Sequence, residues 1–407
     1  MCFRTGRSAG GRPEPGGGEA EVLLLVVDAG GGHRSAARAL LAAAQERGAP
    51  FRFRVESLES LLGSLDFLRK RTGLSFEDGY NLILRRRWTV LLVPLLRVLH
   101  ALIAVRRPAL VRELRRFFAG PRPAAVLSVI PNFNGVVRDA LQAEHPGVPL
   151  LVLLTDFADF PPRFWIEPGL TRVLVATDEA AAQARAIGIP PERLSRLSGM
   201  VLHPRFYRTG GPEARASVRR ELDFPEEALT VMLLYGGKGS PEMEPLAARL
   251  LEADPGWRVI AACGDNPGLV AKLSAIAGKA RGRLFPVGFT DRVAELMAAS
   301  DLLVTKPGPG SLAEAFHQGV PVVVTRNRHT IPQERFNTRF VEEGGLGLVV
   351  RHWREIPEAA AALARDPARR ARVKAAIAAL PANRAVYEAL EIVASEVARA
   401  DPARMIR

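Results

Sequence analysis

Twice in this chain an unbroken apolar run ends in a cluster of glycines and gives way at once to a helix-like stretch. The first run, Glu21 to Asp28, leads through Gly30-Gly31-Gly32 into Arg34–Arg47; the second, Thr230–Tyr235, leads into Gly236-Gly237-Lys238-Gly239-Ser240. A strand that is apolar on consecutive residues is buried on both faces, and such a strand followed by a glycine turn and a helix opens a parallel sheet covered by helices on both sides. Further runs at Ala124–Ile130, Leu150–Thr155 and Arg172–Ala176, and then at Trp257–Cys263, Arg283–Pro286, Asp301–Thr305 and Val320–Thr325, alternate with turns and helical stretches. The fold class expected is α/β, with two doubly wound sheets in succession.

Length agrees with two such units, because 407 residues exceed what one hydrophobic core usually serves. The boundaries expected are an N-terminal domain over 21–205, a linker over 206–228, rich in proline and charge, a C-terminal domain over 229–380, and a final helical segment, 381–407, crossing back to the first domain. After Arg351 the pattern is helical and interrupted at Pro357, Pro367 and Pro381. Residues 1–20 are rich in Gly, Pro and Arg and lack the apolar stretch of a signal peptide, so they are expected to be a disordered leader. With only Cys2 and Cys263 in the chain, neither a disulfide framework nor a cysteine-rich metal site can be built, which suggests a cytoplasmic protein.

An excess of 56 Lys and Arg over 43 Asp and Glu, net +13, favours a polyanionic partner: nucleic acid, anionic lipid or a phosphorylated substrate. A bias toward Ala and Arg in the composition is the plainer explanation. Between Leu82 and Phe118 apolar stretches are interleaved with arginines, and Trp88 to Val105 is broken by Pro94, Arg97 and His100, so a membrane-crossing helix is not expected. The segment reads either as an amphipathic basic region that enters a headgroup layer, with Arg85, Arg86, Arg87 and Trp88 at the surface, or as ordinary helices packed on the sheet. It is aliphatic and lacks the aromatic stacking platforms of nucleic-acid binders, so no nucleic-acid partner is expected.

Three glycine-rich loops follow strands. At the first, the free N–H groups of Gly31, Gly32 and their neighbours face a bound anion or substrate, and His33 stands at the mouth either as a general base or as a helix-capping side chain. The GxGxxG spacing of a dinucleotide site is absent. The second loop, with Gly236 and Gly237, is not a phosphate-binding GxxxxGK[ST] loop, because Gly239 separates Lys238 from Ser240; it is either a turn presenting N–H groups to a cleft or a structural turn. The third, Thr305-Lys306-Pro307-Gly308-Pro309-Gly310-Ser311, opens a helix whose positive end suits a diphosphate; Glu314, one turn in, either accepts both hydroxyls of a ribose or complements the helix dipole.

In their order along the chain, the third loop, Gly319-Val320-Pro321 and Pro332-Gln333-Glu334-Arg335-Phe336-Asn337, together with Gly30–Arg34, Thr155-Asp156, Gly236–Gly239, Cys263-Gly264-Asp265-Asn266 and Gly288-Phe289-Thr290, resemble the monogalactosyldiacylglycerol synthases. Bacterial processive diacylglycerol glucosyltransferases and the peptidoglycan N-acetylglucosaminyl transferase share this pattern, which covers residues 22 to 350. The resemblance implies the GT-B fold, two Rossmann-like domains facing a cleft. It implies an inverting transferase that moves galactose or glucose from UDP-galactose or UDP-glucose to a diacylglycerol-like lipid, peripheral on the inner face of the cell membrane. Gly308, Gly310 and Ser311 would hold the diphosphate, Glu314 the ribose, Gln333 and Glu334 the sugar hydroxyls, Phe289 would lie by the uracil, and His33 would be the base.

Where those synthases usually carry His-Pro after the Ser-Val strand, this chain has Ser128-Val129-Ile130-Pro131-Asn132-Phe133-Asn134, so Asn132 and Asn134 either position the acceptor or form a turn. No Asp-x-Asp pair suggests a metal-held diphosphate; Lys306 and helix ends can offset its charge, so no metal and no further cofactor is expected. A UDP-sugar 2-epimerase and a catalytically silent nucleotide-binding protein are the alternative readings.

Overall fold

β1 (Ala20–Val26) buries alternate residues on opposite sides of one sheet: Leu23 and Leu25 join one hydrophobic cluster, and Val22, Leu24 and Val26 another. That two-sided burial is the physical reason for its continuous apolar run. The computed structural model describes residues 20–27, 31–58, 92–208, 211–328 and 330–400. From β1 the chain continues through α1 (Gly31–Arg47), β2 (Phe51–Ser57), α2 (Leu92–Phe118), β3 (Ala125–Ser128), α3 (Asn134–Glu144), β4 (Leu150–Leu153), β5 (Arg172–Val175), α4 (Asp178–Ala186) and β6 (Leu194–Arg196). The strands form a six-stranded parallel sheet in the order β2-β1-β3-β4-β5-β6.

α2 covers one face of this sheet through Leu96, Ile103, Leu110, Leu114 and Phe118, a helical-spaced buried stripe, and Arg107 Nη2 pairs with Asp139 Oδ2 of α3 at 2.7 Å. Its outward side is different: Leu95, Val98, Leu102 and Val105, spaced at three and four residues, are exposed apolar side chains, Val105 at 75%. Among the described residues no helix is long and apolar enough to cross a membrane.

Crossing to the second half are the short α5 (Arg205–Arg208) and α6 (Pro212–Glu221), then β7 (Thr230–Leu234), α7 (Met243–Ala253), β8 (Arg258–Gly264), α8 (Pro267–Ala277), β9 (Leu284–Gly288), α9 (Val293–Ala298), β10 (Leu302–Thr305), α10 (Pro309–His317), β11 (Val322–Thr325), α11 (Pro332–Glu343), β12 (Gly347–Val350), α12 (Ile356–Arg365), α13 (Pro367–Ala378) and α14 (Ala385–Ala400). The second parallel sheet runs β12-β11-β10-β7-β8-β9. The molecule is therefore α/β with two Rossmann-like halves, the GT-B architecture.

Residues 206–228, expected as a linker, are built into the second half. Val218 and Phe224 lie in its core, and the buried Arg219 guanidinium donates to the carbonyls of Ala299 and Ala228 and to Asp301 Oδ2 at 2.6 Å. Pro357 and Pro367 occupy the first turns of α12 and α13 and start helices rather than interrupt them, since a first-turn residue has no intrahelical N–H bond to lose. α14 lies on the first half: Ala385, Val386, Leu390, Val393 and Val397 share the cluster of β1 and α1, and Arg172 Nη2 of β5 reaches Glu396 Oε1 at 2.7 Å.

Candidate active site

In each sheet one pair of neighbouring strands sends its connections to opposite faces, and a crevice opens there beyond the carboxyl ends. These switch points lie between β1 and β3 in the first sheet and between β7 and β10 in the second. The glycine loops after β1, β7 and β10 all fall at them. α1 and α10 start at these edges and enclose one crevice between the halves, lined by Gly32, Ser35 and Ala36, by Leu154 and Thr155, by Met200–Leu202, and by Gly310 and Glu314. Two positive helix ends thus face the same space.

On the first half, His33 sits inside the first turn of α1, so it is not a cap. Its Nδ1 lies 2.9 Å from Thr155 Oγ1 and its ring centroid 5.4 Å from that of Trp165, whose Nε1 donates to Asp156 Oδ2 at 2.9 Å. Burial holds this imidazole well below the ordinary histidine value, at about 4, with the hydrogen bond to the Val129 backbone acting the other way. Burial pushes Asp156 up to about 6 against the pull of the Trp165 indole. Asp159, also raised to about 6 by burial, accepts from the backbone N–H groups of Trp165 at 2.7 Å and Arg163 at 3.0 Å and so fixes the loop that carries the indole. Thr155, Asp156 and Trp165 were not singled out as site residues; the available signal was their place at and beyond the carboxyl end of β4.

On the second half, Gly308 precedes α10, which begins at Pro309. Ser311 Oγ donates back to the Gly308 carbonyl at 3.2 Å and lies 3.2 Å from Thr305 Oγ1, closing the turn. Lys306 lies across Gly236: a Cβ there would meet Lys306 Cε at 3.4 Å, and φ of +75° makes glycine the fitting residue. Gly237 packs against Gly264, and its carbonyl accepts from Asp265 N at 2.8 Å, so the second loop is a turn fastened to the loop after β8. Burial raises Glu314 to about 8, with Arg205 opposing. Glu334 is raised by burial too, while Lys306 draws it down and Asp156, across the crevice, pushes it up. The buried amide oxygens of Gln333 and Asn337 have no hydrogen-bond partner among the described residues, and Asn337 Nδ2 donates to the Pro307 carbonyl at 2.8 Å. Phe289 stands 67% exposed at the carboxyl end of β9.

The two asparagines of the β3–α3 turn differ. Asn134 is buried and fully engaged: Oδ1 accepts from Ser128 Oγ at 2.6 Å, and Nδ2 donates to the carbonyls of Ile130 and Trp165 at 3.0 and 2.9 Å. It locks the turn to the Trp165 loop, the second of its two expected readings. Asn132 is half-buried with φ of +69° and meets His100 of α2. Gly31 and Gly32 begin α1, with open space around Gly32, whereas Gly30, Arg85, Arg86, Arg87 and Trp88 lie outside the described residues.

Residues 246–382 match the glycosyltransferase family 28 C-terminal domain. Over 257 residues, 60% of this chain, the sequence is 30% identical to the chloroplastic monogalactosyldiacylglycerol synthase of Spinacia oleracea, covering 47% of that protein. The processive diacylglycerol beta-glucosyltransferase of Bacillus subtilis is 27% identical over 248 residues, 60% of this chain and 62% of that one. The chain thus spans about half the length of the plant relative. Among solved structures, Acinetobacter baumannii MurG superposes with a TM-score of 0.55 at 13% identity, covering 93% of this chain and all of that one, a likeness of fold. The matched stretch contains Phe289, the third glycine loop, Glu314, Gln333 and Glu334, and leaves Gly236 and Gly237 outside it.

Proposed function

We propose that this chain is a glycosyltransferase that moves galactose or glucose from a UDP-sugar to a diacylglycerol-like lipid at an anionic membrane surface. The observation that carries the reading is the crevice itself: the N-termini of α1 and α10 converge, with Thr155, which His33 contacts, on one wall and Glu314 on the other. Family 28 sequence on the donor side and the glycolipid-synthase relatives favour this chemistry.

In the proposed reaction the α10 end and Lys306 receive the diphosphate, offsetting its charge without a metal, while Glu314 takes the ribose hydroxyls. Gln333 and Glu334 take the sugar hydroxyls; a buried amide oxygen lacking a partner suits a ligand O–H. An unprotonated His33 removes the acceptor hydroxyl proton as the oxygen attacks the anomeric carbon from the face opposite the departing UDP, which inverts configuration. The apolar stripe of α2 and the net positive charge suit a lipid surface.

The test is transfer of radiolabelled sugar from UDP-galactose and, separately, UDP-glucose to diacylglycerol in anionic vesicles, with released UDP counted in parallel and chelator added to half the samples. Labelled glycolipid with chelator present is the expected result. UDP release without glycolipid would exclude this acceptor, and interconversion of UDP-sugars alone would favour an epimerase.

A further inference from the structure

Phe157 belongs by chain to the first half, two residues past Thr155, yet its buried ring joins the hydrophobic cluster built mainly from the second half. Its centroid stands 5.1 Å from that of Phe340 in α11, and Phe340 lies 6.4 Å from the buried Phe316 of α10. Three rings thus run in a row from the loop after β4 through α11 to α10. The backbone of Phe157 stays tied to its own half, because its carbonyl accepts from Thr177 Oγ1. The exchange is mutual: Ile331, which precedes α11, packs on the first half's cluster, the one that holds Val152 and Trp165.

What these contacts join gives them a task. The loop that carries Phe157 also carries Thr155, in contact with His33, and Asp156, whose charge reaches Glu334 on the opposite half. On the other side, Gln333 and Glu334 stand in the first turn of α11, between Ile331 and Phe340, so the stretch that bears them is held to the first half at both ends. Glu314 lies two residues before Phe316 on α10. Packing contacts are short-ranged, and a gap of about 0.5–1 Å already forfeits a quarter to a half of the attraction, so seated rings fix the separation of the surfaces they join. The ion pair that also bridges the halves here, Arg339 Nη2 to Glu179 Oε1 at 3.9 Å, is half-exposed and adds little.

We propose that Phe157 is a positioning residue: its ring, seated against Phe340, sets the distance between the His33–Thr155 side of the crevice and the face of α11 that carries Gln333 and Glu334, and Ile331 sets the same distance from the opposite half. The inference rests on the transferase reading for the roles of His33, Gln333 and Glu334. Neither Phe157 nor Ile331 is asked to touch substrate.

The experiment compares wild type, Phe157→Ala and Ile331→Ala, measuring the affinities for UDP, UDP-galactose and UDP-glucose by calorimetry without acceptor, kcat for transfer to diacylglycerol, and melting temperature. In the transferase reading UDP meets only second-half residues, so its affinity is expected to stay within twofold in both variants. Whichever UDP-sugar wild type binds more tightly should bind about five- to tenfold more weakly, the worth of one hydrogen bond to the sugar. Transfer kcat should fall about ten- to hundredfold, since displacing reacting groups by about 1 Å costs up to about 10²-fold. Unchanged UDP-sugar affinity and kcat in a folded Phe157→Ala protein overturns the inference and leaves the transferase reading intact. Equal loss of UDP and UDP-sugar affinity overturns it too, because the ring would then support the α10 turn rather than the sugar face. If wild type binds UDP-sugars but transfers nothing to lipid, the transferase reading falls, and the split between UDP and UDP-sugar affinity still decides on Phe157. Should Phe157→Ala fail to fold, Ile331→Ala, which trims a partly buried side chain, decides by the same measurements.

Discussion

His33 and Thr155 meet beside the crevice, which Thr155 lines, Nδ1 to Oγ1 at 2.9 Å, the one two residues past the first residue of a helix and the other just past the end of a strand. The contact orients a ring whose other stabilising neighbours are the Val129 backbone and the Trp165 indole. Removing the ring by His33→Ala is expected to lower kcat by about 10²- to 10⁴-fold, the usual worth of a general base, and to leave UDP affinity within twofold. Thr155→Val, which keeps the shape but loses the hydroxyl, should cost part of that, again in kcat. Because burial keeps His33 unprotonated down to about 4, the acid limb of kcat/KM should not fall at an ordinary histidine pKa. Asp156 and Asp159 are both raised to about 6; the assignment of a limb near 6 to Asp156, which is closer to His33 through Thr155, predicts that Asp156→Asn removes it while Asp159→Asn does not. If that limb persists in Asp156→Asn, the assignment is wrong.

Glu314 has its pKa raised to about 8, so in the empty crevice at neutral pH its carboxyl is mostly protonated. Accepting two ribose hydroxyls favours the charged form, and UDP binding near pH 7 should therefore release close to one proton. Calorimetry in buffers of different ionisation enthalpy reads this directly: wild type should show the release and Glu314→Gln should not, with weaker UDP binding. The stability consequence has a definite sign. For a carboxyl whose folded pKa is raised, the contribution is fully present below the unfolded value of about 4.5 and is lost as pH rises through the folded value. The melting temperature of Glu314→Gln should therefore gain on wild type between about pH 5 and 8 and level off above that. An unchanged difference would refute the raised pKa.

These two residues show how much could be read in advance. Both positions were visible because a glycine loop between an apolar run and a helix announces a helix N-terminus, and both fall beside such loops. Their protonation states were not visible, since they come from burial by residues distant in sequence. β1, β3, β7 and β10 were legible from apolar runs with both faces buried. β2, reading Phe51-Arg52-Phe53-Arg54-Val55-Glu56-Ser57, lies at a sheet edge with its outer positions charged, and that alternation hid it. His100 was legible only as a break in an apolar segment. Its contact with Asn132 depends on how α2 docks on α3, which no local spacing encodes. The partner of Asn134 was hidden for a related reason: the carbonyl of Trp165 that it engages lies in a loop far along the chain.

The exposed stripe on α2 predicts a surface property that can be separated from stability. Leu95, Val98, Leu102 and Val105 are already in contact with solvent, so replacing all four by serine should leave the melting temperature unchanged or slightly lower through helix propensity. If these side chains enter a headgroup layer, the same replacement should reduce co-sedimentation with anionic vesicles tenfold or more, because burial of each CH₂ contributes about 0.8 kcal/mol. Binding equal to wild type would remove α2 from the membrane-facing surface. Raising salt should weaken the wild-type interaction as well, since charge on the arginines is screened within about 10 Å at 0.1 M ionic strength.

Within α11, Gln333 and Asn337 lie one turn apart and should respond oppositely to loss of their amides. The buried Gln333 Oε1 has no partner among the described residues, so Gln333→Leu removes an uncompensated polar group and should leave stability equal to wild type or higher. Asn337 Nδ2 holds the Pro307 carbonyl at the entry to the Gly308–Gly310 turn. Asn337→Leu strands that carbonyl and should cost about 1–3 kcal/mol in urea unfolding. Function should divide the other way. With the turn released, the N–H groups that face a diphosphate lose their aim, and Asn337→Leu should weaken UDP itself. Gln333→Leu should bind UDP as wild type does yet raise the KM for the intact UDP-sugar and lower kcat, because only the sugar end meets residue 333. Equal loss of UDP affinity in the two variants would mean that Gln333 also supports the diphosphate turn, and the division of α11 into a sugar contact and a loop anchor would be wrong.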